Sequence, residues 1–515
     1  MFSGRPIIYE SVIRYDWEEC IMMSEELRKA REFEAAYEPL VPGTERPLFH
    51  VTAGVGWLND PNGFSAYRGE YHLFYQYHPY SAHPGVMHWG HLKSKDFLKW
   101  ERLPIAMAPD CAYDRDGCWS GGAAELPDGR QLLMYTGRRV QEENGAQVAY
   151  QTQCLAVGDG RDYEKYAGNP VLTAENLPDG CSPYDFRDPK IWREPDGTYR
   201  AVTVTRTEDG SGAVLLYSSP DGFSWRFERV LDRCRNEYGN MWECPDFFPL
   251  DGKQVLLVSP MGMEARDAEF PAGYGAIALL GRYDAASGEF VREAAQTLDY
   301  GPDFYAAQTL EALDGRRIMI AWMQHWGNAK YQPDERLCYG GMTVPRELSI
   351  RGGRLTQNPV RELERLRVSP VTYRNVAVSE AVELEGIRGR VLDMTLSVRP
   401  ASDGGFESFR IHIAADEQRR TTIEYLPQRG AVRIDRSLCG APVGEPTREF
   451  TVRESGGGVK LRLLMDVRGA ELFVNDGERA ASFLLYTPDS ADAVRFETTG
   501  GAALVDVEKY ALRKP

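Results

Sequence analysis

The sequence lacks the marks of several large protein classes. Its nine cysteines among 515 residues are odd in number, scattered, and form no Cys-x-x-Cys pair. Disulfide frameworks and structural zinc sites both need regularly spaced cysteines, so neither is expected, and reduced thiols suit the cytoplasm. No run approaches the roughly 20 apolar residues that a membrane span requires. The opening Met1-Phe2-Ser3-Gly4-Arg5-Pro6 has no apolar h-region, so no secretory signal is expected. Positive charge is in deficit. Lys and Arg number 60 against 76 Asp and Glu, a net charge of −16. That balance argues against a nucleic-acid partner, which needs a basic footprint, and against an anionic membrane surface. Histidine is scarce, and five of the eight fall between His72 and His91. Their spacing fits no helical His-x-x-x-His pair, and alternating strands would point them to different faces, so no metal site is expected.

What is present fits a soluble globular chain of two or three domains, since 515 residues exceed one ordinary core. Aromatics make up 11% of the chain, which suits both β-rich cores and sugar-binding faces and so does not choose between them.

Residues 1–45 read as a lead-in with one helix over 24–37. Ser24 caps it, Glu25 and Glu26 favour its positive end, and Pro39 stops it. From 46 to 350 the signal is short strands and turns, such as Tyr71–Tyr75 and Gln131–Tyr135. Ser94-x-Asp96-x-x-x-Trp100 recurs as Ser219-x-Asp221-x-x-x-Trp225, a shift of 125 residues. That equals two units of about 62, a fitting size for a four-stranded blade. Asp60, Trp119, Asp188, Glu243 and Phe304 mark unusual motifs at steps of 59, 69, 55 and 61 residues. Five near-equal steps predict five units, each placing one motif on the innermost strand of a propeller. Residues 351–370 read as a linker, with a short helix from Val360 to Arg367 after Asn358-Pro359. Residues 371–515 return to alternation, as at Leu461, Leu463 and Met465. Asn475-Asp476-Gly477 is a hairpin signal there, and a β-sandwich is expected.

Three stretches carry candidate chemistry. In Trp57-Leu58-Asn59-Asp60-Pro61-Asn62-Gly63, the proline restricts Asp60, and Pro-Asn-Gly reads as a turn that holds its carboxylate at a strand end. Arg187-Asp188-Pro189 puts a second Asp before a proline. Trp242-Glu243-Cys244-Pro245 puts a Glu two residues before another. Each alone is equally a turn or a surface ion pair; together and in order they point to one acidic pocket.

These stretches resemble family 32 of the glycoside hydrolases, the invertases and fructan hydrolases, from about Arg46 to the C-terminus. The resemblance implies an all-β chain: a five-bladed β-propeller, then a C-terminal β-sandwich, cleaving fructosides with retention. It implies Asp60 as nucleophile, Glu243 as acid/base with a raised pKa, and Asp188 as the third carboxylate, binding sugar hydroxyls and stabilising the transition state. Arg187 would orient the cluster. Asn59, Gln76, Trp119, Ser120 and Trp326 would line the fructose pocket, and Tyr305 would reach Glu243 or the leaving group. No cofactor is implied. The expected partner is a small fructoside, and a homo-oligomer stays open.

The sequence departs from the family pattern at Pro84, where a pocket Trp is usual, and at Ala307, where a Pro is usual. Cys244, with no histidine nearby in sequence, is expected as packing rather than as a nucleophile. Sucrose, sucrose 6-phosphate and fructans remain alternatives, and a non-catalytic fructan binder is the alternative of another class. Neutral sucrose or short fructo-oligosaccharides is the favoured reading. Neither the spacing of Arg138 and Arg139 nor that of Lys190 marks a phosphate site, and Arg187 is already committed.

Overall fold

A computed structural model describes residues 23–331 and 336–515. The first 22 residues of the expected lead-in lie outside the described residues. The helix runs Glu25–Tyr37, with the Ser24 hydroxyl accepting the Leu27 N–H and Leu27 and Ala30 buried beneath it. It lies against the fourth strand of the first blade, where the Arg31 guanidinium donates to the Ile105 carbonyl.

Five sheets of antiparallel strands then follow in sequence. Their innermost strands are Gly56–Tyr67, Cys118–Glu125, Arg187–Arg193, Met241–Leu250 and Tyr305–Glu311. Successive innermost strands touch one another, and the fifth touches the first, so the sheets close into a five-bladed propeller. Closure is reinforced by the two-residue strand Cys338–Tyr339, which pairs in parallel with Gly56 and Trp57. Tyr339 then stacks on Trp57 at 5.8 Å.

The sequence echo is one turn built twice. Asp96 Oδ1 accepts the Leu98 and Lys99 N–H groups, and the Trp100 indole donates to the Phe97 carbonyl. Asp221 Oδ1 likewise accepts from Phe223 and Ser224, and Trp225 donates to Gly222. Both turns join the third and fourth strands of their blades, in blades one and three. The left-handed position is Phe97 in one and Gly222 in the other, so glycine is preferred there but not required.

The expected linker is corrected. Arg354–Pro359 is the outer strand of blade five, paired with Arg346–Arg351. The next six residues, Arg361–Leu366, form a 3-10 helix, and the first sandwich strand begins at Arg367. Pro359 is tolerated because it ends an edge strand, where a missing N–H costs nothing.

The second domain is a sandwich of six- and five-stranded sheets. Leu392, Met394, Leu396, Leu461, Leu463 and Met465 from one sheet meet Phe409, Ile411, Ile413 and Phe496 from the other. Leu464 is also buried, on the opposite face, where it joins Phe473 and Ala480 in the propeller's core cluster. The simple alternation fails there because both faces of this sheet are covered. Asn475-Asp476-Gly477 makes the hairpin turn, all three with positive φ.

Candidate active site

Each innermost strand carries a β-bulge at its motif. Register slips occur between Leu58 and Pro61, Trp119 and Gly121, Glu243 and Asp246, and Tyr305 and Gln308. The third strand slips between Arg187 and Lys190, opposite Val204 and Val202. Prolines 61, 189 and 245 sit in three of these slips and have no N–H to give the ladder. Asp188, Cys244 and Ala306 take the left-handed conformation at φ 58°, 48° and 54°. Such non-glycine positions cost about 1–3 kcal/mol each and are held only by their surroundings. A bulge re-aims side chains, here into the central channel. Asp60 is therefore not at a strand end beside a turn. It lies within the 12-residue strand Gly56–Tyr67. The Pro-Asn-Gly signal marks a bulge, with Gly63 at φ 51°, where a Cβ would also strike the Phe74 ring.

Asp60 is buried and held by three donors. Ser120 Oγ donates to Oδ2 at 2.8 Å, Asn59 Nδ2 to Oδ1 at 3.2 Å, and the Cys244 thiol to Oδ2 at 3.4 Å. Asn59 is itself oriented by the Trp57 indole N–H at 2.8 Å. Burial and the nearby Glu243 charge push the Asp60 carboxyl up to about 6, against the pull of those three donors. At neutral pH it is mostly ionised.

Asp188 accepts the Cys244 backbone N–H at 3.0 Å, and its own N–H donates to Thr136 Oγ1 at 2.9 Å. Burial raises its pKa; Arg187 opposes that, while Glu243 and Asp60 add to it. Glu243 is gripped on both oxygens. The Arg187 Nε donates to Oε1 at 3.1 Å, and the Tyr305 hydroxyl donates to Oε2 at 2.7 Å. Arg187 also reaches the carbonyl of Asp185 and the side chain of Gln151.

These groups line a pocket of about 380 Å³. Of the residues expected there, Asn59, Asp60, Gln76, Trp119, Ser120, Arg187, Asp188, Glu243 and Trp326 all form its wall. Tyr305 lies behind Glu243, fully buried. Gln76 is fixed by donating to the Cys118 carbonyl at 3.2 Å. Trp326 opens the short helix Trp326–Ala329 and stacks over Trp57 at 6.2 Å. Pro84 lines the pocket, together with Gly85, Met87, Asp116 and Arg138, which the motifs do not single out for it. Lys190 points away, to Gln308, Thr309 and Asp246 in the blade interfaces. Two of the clustered histidines do meet, His72 Nδ1 to His91 Nε2 at 2.9 Å, as a buried pair on neighbouring strands of blade one. Asp303, just before Phe304, faces the sandwich, where it binds Arg436 and the Leu484 N–H.

Two carboxyls with different partners, facing one pocket, are what acid–base and nucleophilic cleavage of a glycoside requires. Residues 50–359 match the glycosyl hydrolases family 32 N-terminal domain, and residues 362–511 match the family 32 C-terminal domain. The chain belongs to glycosyl hydrolase family 32. It is a hydrolase of the β-fructofuranosidase type. It is 36% identical to raffinose invertase of Escherichia coli over 89% of this chain and 94% of that one. It is also 36% identical to sucrose-6-phosphate hydrolase of Zymomonas mobilis, over 91% and 92% of the two chains. Among solved structures, the family 32 β-fructofuranosidase of Bombyx mori superposes with a TM-score of 0.81 at 34% identity, covering 95% of this chain and 98% of that one.

Proposed function

We propose that this family 32 hydrolase releases terminal β-D-fructose from sucrose and short fructo-oligosaccharides through a fructosyl-enzyme intermediate. The carrying observation is the contrast between two carboxyls in one pocket. Among the described residues no cation pairs with Asp60, which is held by Ser120, Asn59 and Cys244. Glu243 is tied to Arg187 and Tyr305.

Asp60 attacks the anomeric carbon of the fructosyl ring. Glu243 gives its proton to the leaving oxygen, then takes one from the water that hydrolyses the intermediate. Arg187 and Tyr305 hold the Glu243 carboxyl in place through both steps. Asp188 faces the sugar hydroxyls and the positive charge that develops at the ring. Asn59, Gln76, Ser120, Trp119 and Trp326 hold the fructose. With Asp60 and Asp188 both raised by burial, the carboxylates titrate as a group above the ordinary carboxylate range. A complex of sucrose with a variant of the Bombyx mori enzyme supports sucrose as a ligand of this pocket type.

A cytoplasmic setting is part of the reading. It is supported by eight cysteines among the described residues, none of them in a disulfide. Neither nucleic acid nor a membrane is a partner on this reading; no described helix is long and apolar enough to cross a bilayer, and net charge is −16. Incubation with sucrose, kestose, inulin and levan, with released fructose followed by NMR, tests it. The first product should be β-fructose. An α-fructose product would replace retention with inversion, and no release from any of the four would replace the enzyme with a binder.

A further inference from the structure

Among the described residues, those that line the pocket all belong to the propeller, yet one stretch of its wall is held from the sandwich. Trp326 stands on the helix Trp326–Ala329, which is four residues long. A helix that short has no stability of its own, so its place is set by what packs against it. Within the propeller Trp326 stacks over Trp57 and meets the edge of Trp322 at 5.0 Å. Its other holds run to the sandwich loop 436–446, which joins the paired strands Ala431–Asp435 and Thr447–Thr451.

Three contacts join loop and helix. Asn328 Nδ2 donates to the Asp303 carboxylate at 3.0 Å, and the same carboxylate accepts from Arg436. Arg436 also donates to the Glu445 carbonyl at 2.9 Å, which fixes the loop backbone. Gly444 lies so close to the helix that a Cβ there would collide with Asn328 Oδ1. The Glu445 carboxylate faces the ring of His325, which caps the helix, at 3.5 Å.

The cap explains why that carboxylate matters. His325 Nδ1 accepts the Gly327 N–H at 3.1 Å, so the neutral ring carries its proton on Nε2. His325 is 3% exposed, and its Nε2 is buried and makes no hydrogen bond. A buried donor of this kind is uncommon, and here it is compensated by the charge of Glu445. Burial would raise the Glu445 pKa, but His325 and Arg448 outweigh it and lower it, so the carboxylate is ionised at neutral pH. Tyr274 stacks on the imidazole at 5.6 Å, and Glu445 and Tyr274 together fix the plane of the ring. Rotation of the ring would take the acceptor from Gly327 and release the turn that carries Trp326.

We propose that Glu445 is a positioning residue of the active site, acting through His325 to hold Trp326 against the fructosyl ring. The proposal rests on the fructosidase reading of the pocket. It gives the sandwich a part in substrate binding, although the sandwich offers the pocket no atom. Trp326 is a wall that meets substrate and transition state alike, and loss of such a uniform contact raises KM while kcat stays. A sandwich that only steadies the fold behaves differently. Its loosening lowers the fraction of active enzyme, and so the apparent kcat, while KM stays.

The test measures kcat and KM for sucrose, and the inhibition constant of fructose, in the full chain. The variants are Glu445→Ala, Glu445→Gln, Trp326→Ala and the double variant Trp326→Ala with Glu445→Ala. Glu445→Ala is expected to raise KM and the fructose constant about fivefold, with kcat within about twofold. Glu445→Gln keeps an acceptor facing Nε2 and should hold both constants within about twofold of the wild type. In the Trp326→Ala background, Glu445→Ala should shift KM by less than about twofold, because the two changes remove one contact. An unchanged KM in Glu445→Ala overturns the proposal and leaves the fructosidase intact, as does a fall in kcat alone. A fivefold rise that persists without Trp326 overturns it also, by removing Trp326 as the route. Failure of the wild type to release fructose from sucrose or any fructan removes both the proposal and the reading beneath it.

Discussion

The thiol of Cys244 stands 3.4 Å from Oδ2 of Asp60, while the N–H of the same residue donates to Asp188 at 3.0 Å. One residue in a left-handed conformation thus ties two carboxylates of the pocket together. Cys244 is buried, as its chemistry alone suggests, but it is more than packing. Its S–H donates to Asp60 and helps keep that carboxyl from rising further. Cys244→Ala should therefore move the acidic limb of kcat/KM to higher pH. At pH 6, near the Asp60 pKa, it should also cost about threefold in turnover, from a shift worth roughly 1 kcal/mol. Cys244→Ser keeps a donor and should hold the limb near its place. Identical profiles for the wild type and Cys244→Ala would return the thiol to a packing role.

Removal of the Asp60 carboxylate, the proposed nucleophile, separates activity from stability. Asp60→Asn should lose several orders of magnitude in sucrose turnover, because the covalent step has no substitute. The same change should stabilise the fold above pH 6. The Asp60 pKa rises from 3.8 to about 6 on folding. A raised carboxyl favours the fold below its unfolded pKa, and that favour is lost as pH rises through about 6. The ionised, buried group then costs about 3 kcal/mol. Thermal melts at pH 8 and pH 4 check this: the variant should melt higher at pH 8 and level with the wild type at pH 4. A lower melting point at pH 8 would contradict the burial argument.

The grip on Glu243 predicts a leaving-group effect. Glu243→Gln removes the proton donor to the leaving oxygen. It should slow sucrose cleavage by about 10²–10⁴-fold and spare fructosides whose leaving group departs without a proton. Tyr305→Phe removes only the hydroxyl 2.7 Å from Oε2 and should cost about tenfold, since hydrogen bonds to charged groups are worth roughly 1.5–3 kcal/mol. Steady-state rates on both substrate types decide it. Equal losses on both in Glu243→Gln would count against the acid role.

Much of this site was legible from one chain because propeller geometry converts sequence spacing into convergence. The steps from Asp60 to Phe304 gave the five innermost strands, and the Ser-Asp-Trp echo proved to be the same turn in blades one and three. The backbone at the motifs was not legible. Asp60-Pro61-Asn62-Gly63 reads locally as a turn, yet strand pairing continues through it as a bulge. Local composition reports the missing N–H and the preferred φ; it does not say whether a partner strand lies alongside. Asn358-Pro359 misled in the same way, as a helix start rather than the end of an edge strand. Arg138 was visible but undecidable, because strand alternation leaves either of two adjacent arginines able to face the channel.

The join between the domains carries its own pH dependence. His50, on the segment entering blade one, is buried against the sandwich. Its Nδ1 lies 3.1 Å from Asp466 Oδ2 and its Nε2 lies 2.9 Å from Glu471 Oε1. Glu471 also accepts from Arg346, which reaches Asp299 at 2.8 Å. Burial alone would lower the His50 pKa, but the bonds to Asp466 and Glu471 outweigh it and raise it to about 9. A histidine raised on folding stabilises fully below its unfolded pKa near 6.5, and that contribution is lost as pH rises through about 9. The full lift is worth about 3 kcal/mol. Loss of the proton also leaves Asp466 without its buried cation, although the N–H groups of Leu48, Phe49 and His50 still hold it. The melting temperature should therefore fall between pH 7 and pH 9.5, and His50→Gln should flatten that fall while melting lower at pH 7. A wild-type melting temperature that is constant or rising across the interval would show that His50 is neutral and that its proton does not contribute to holding the domains together.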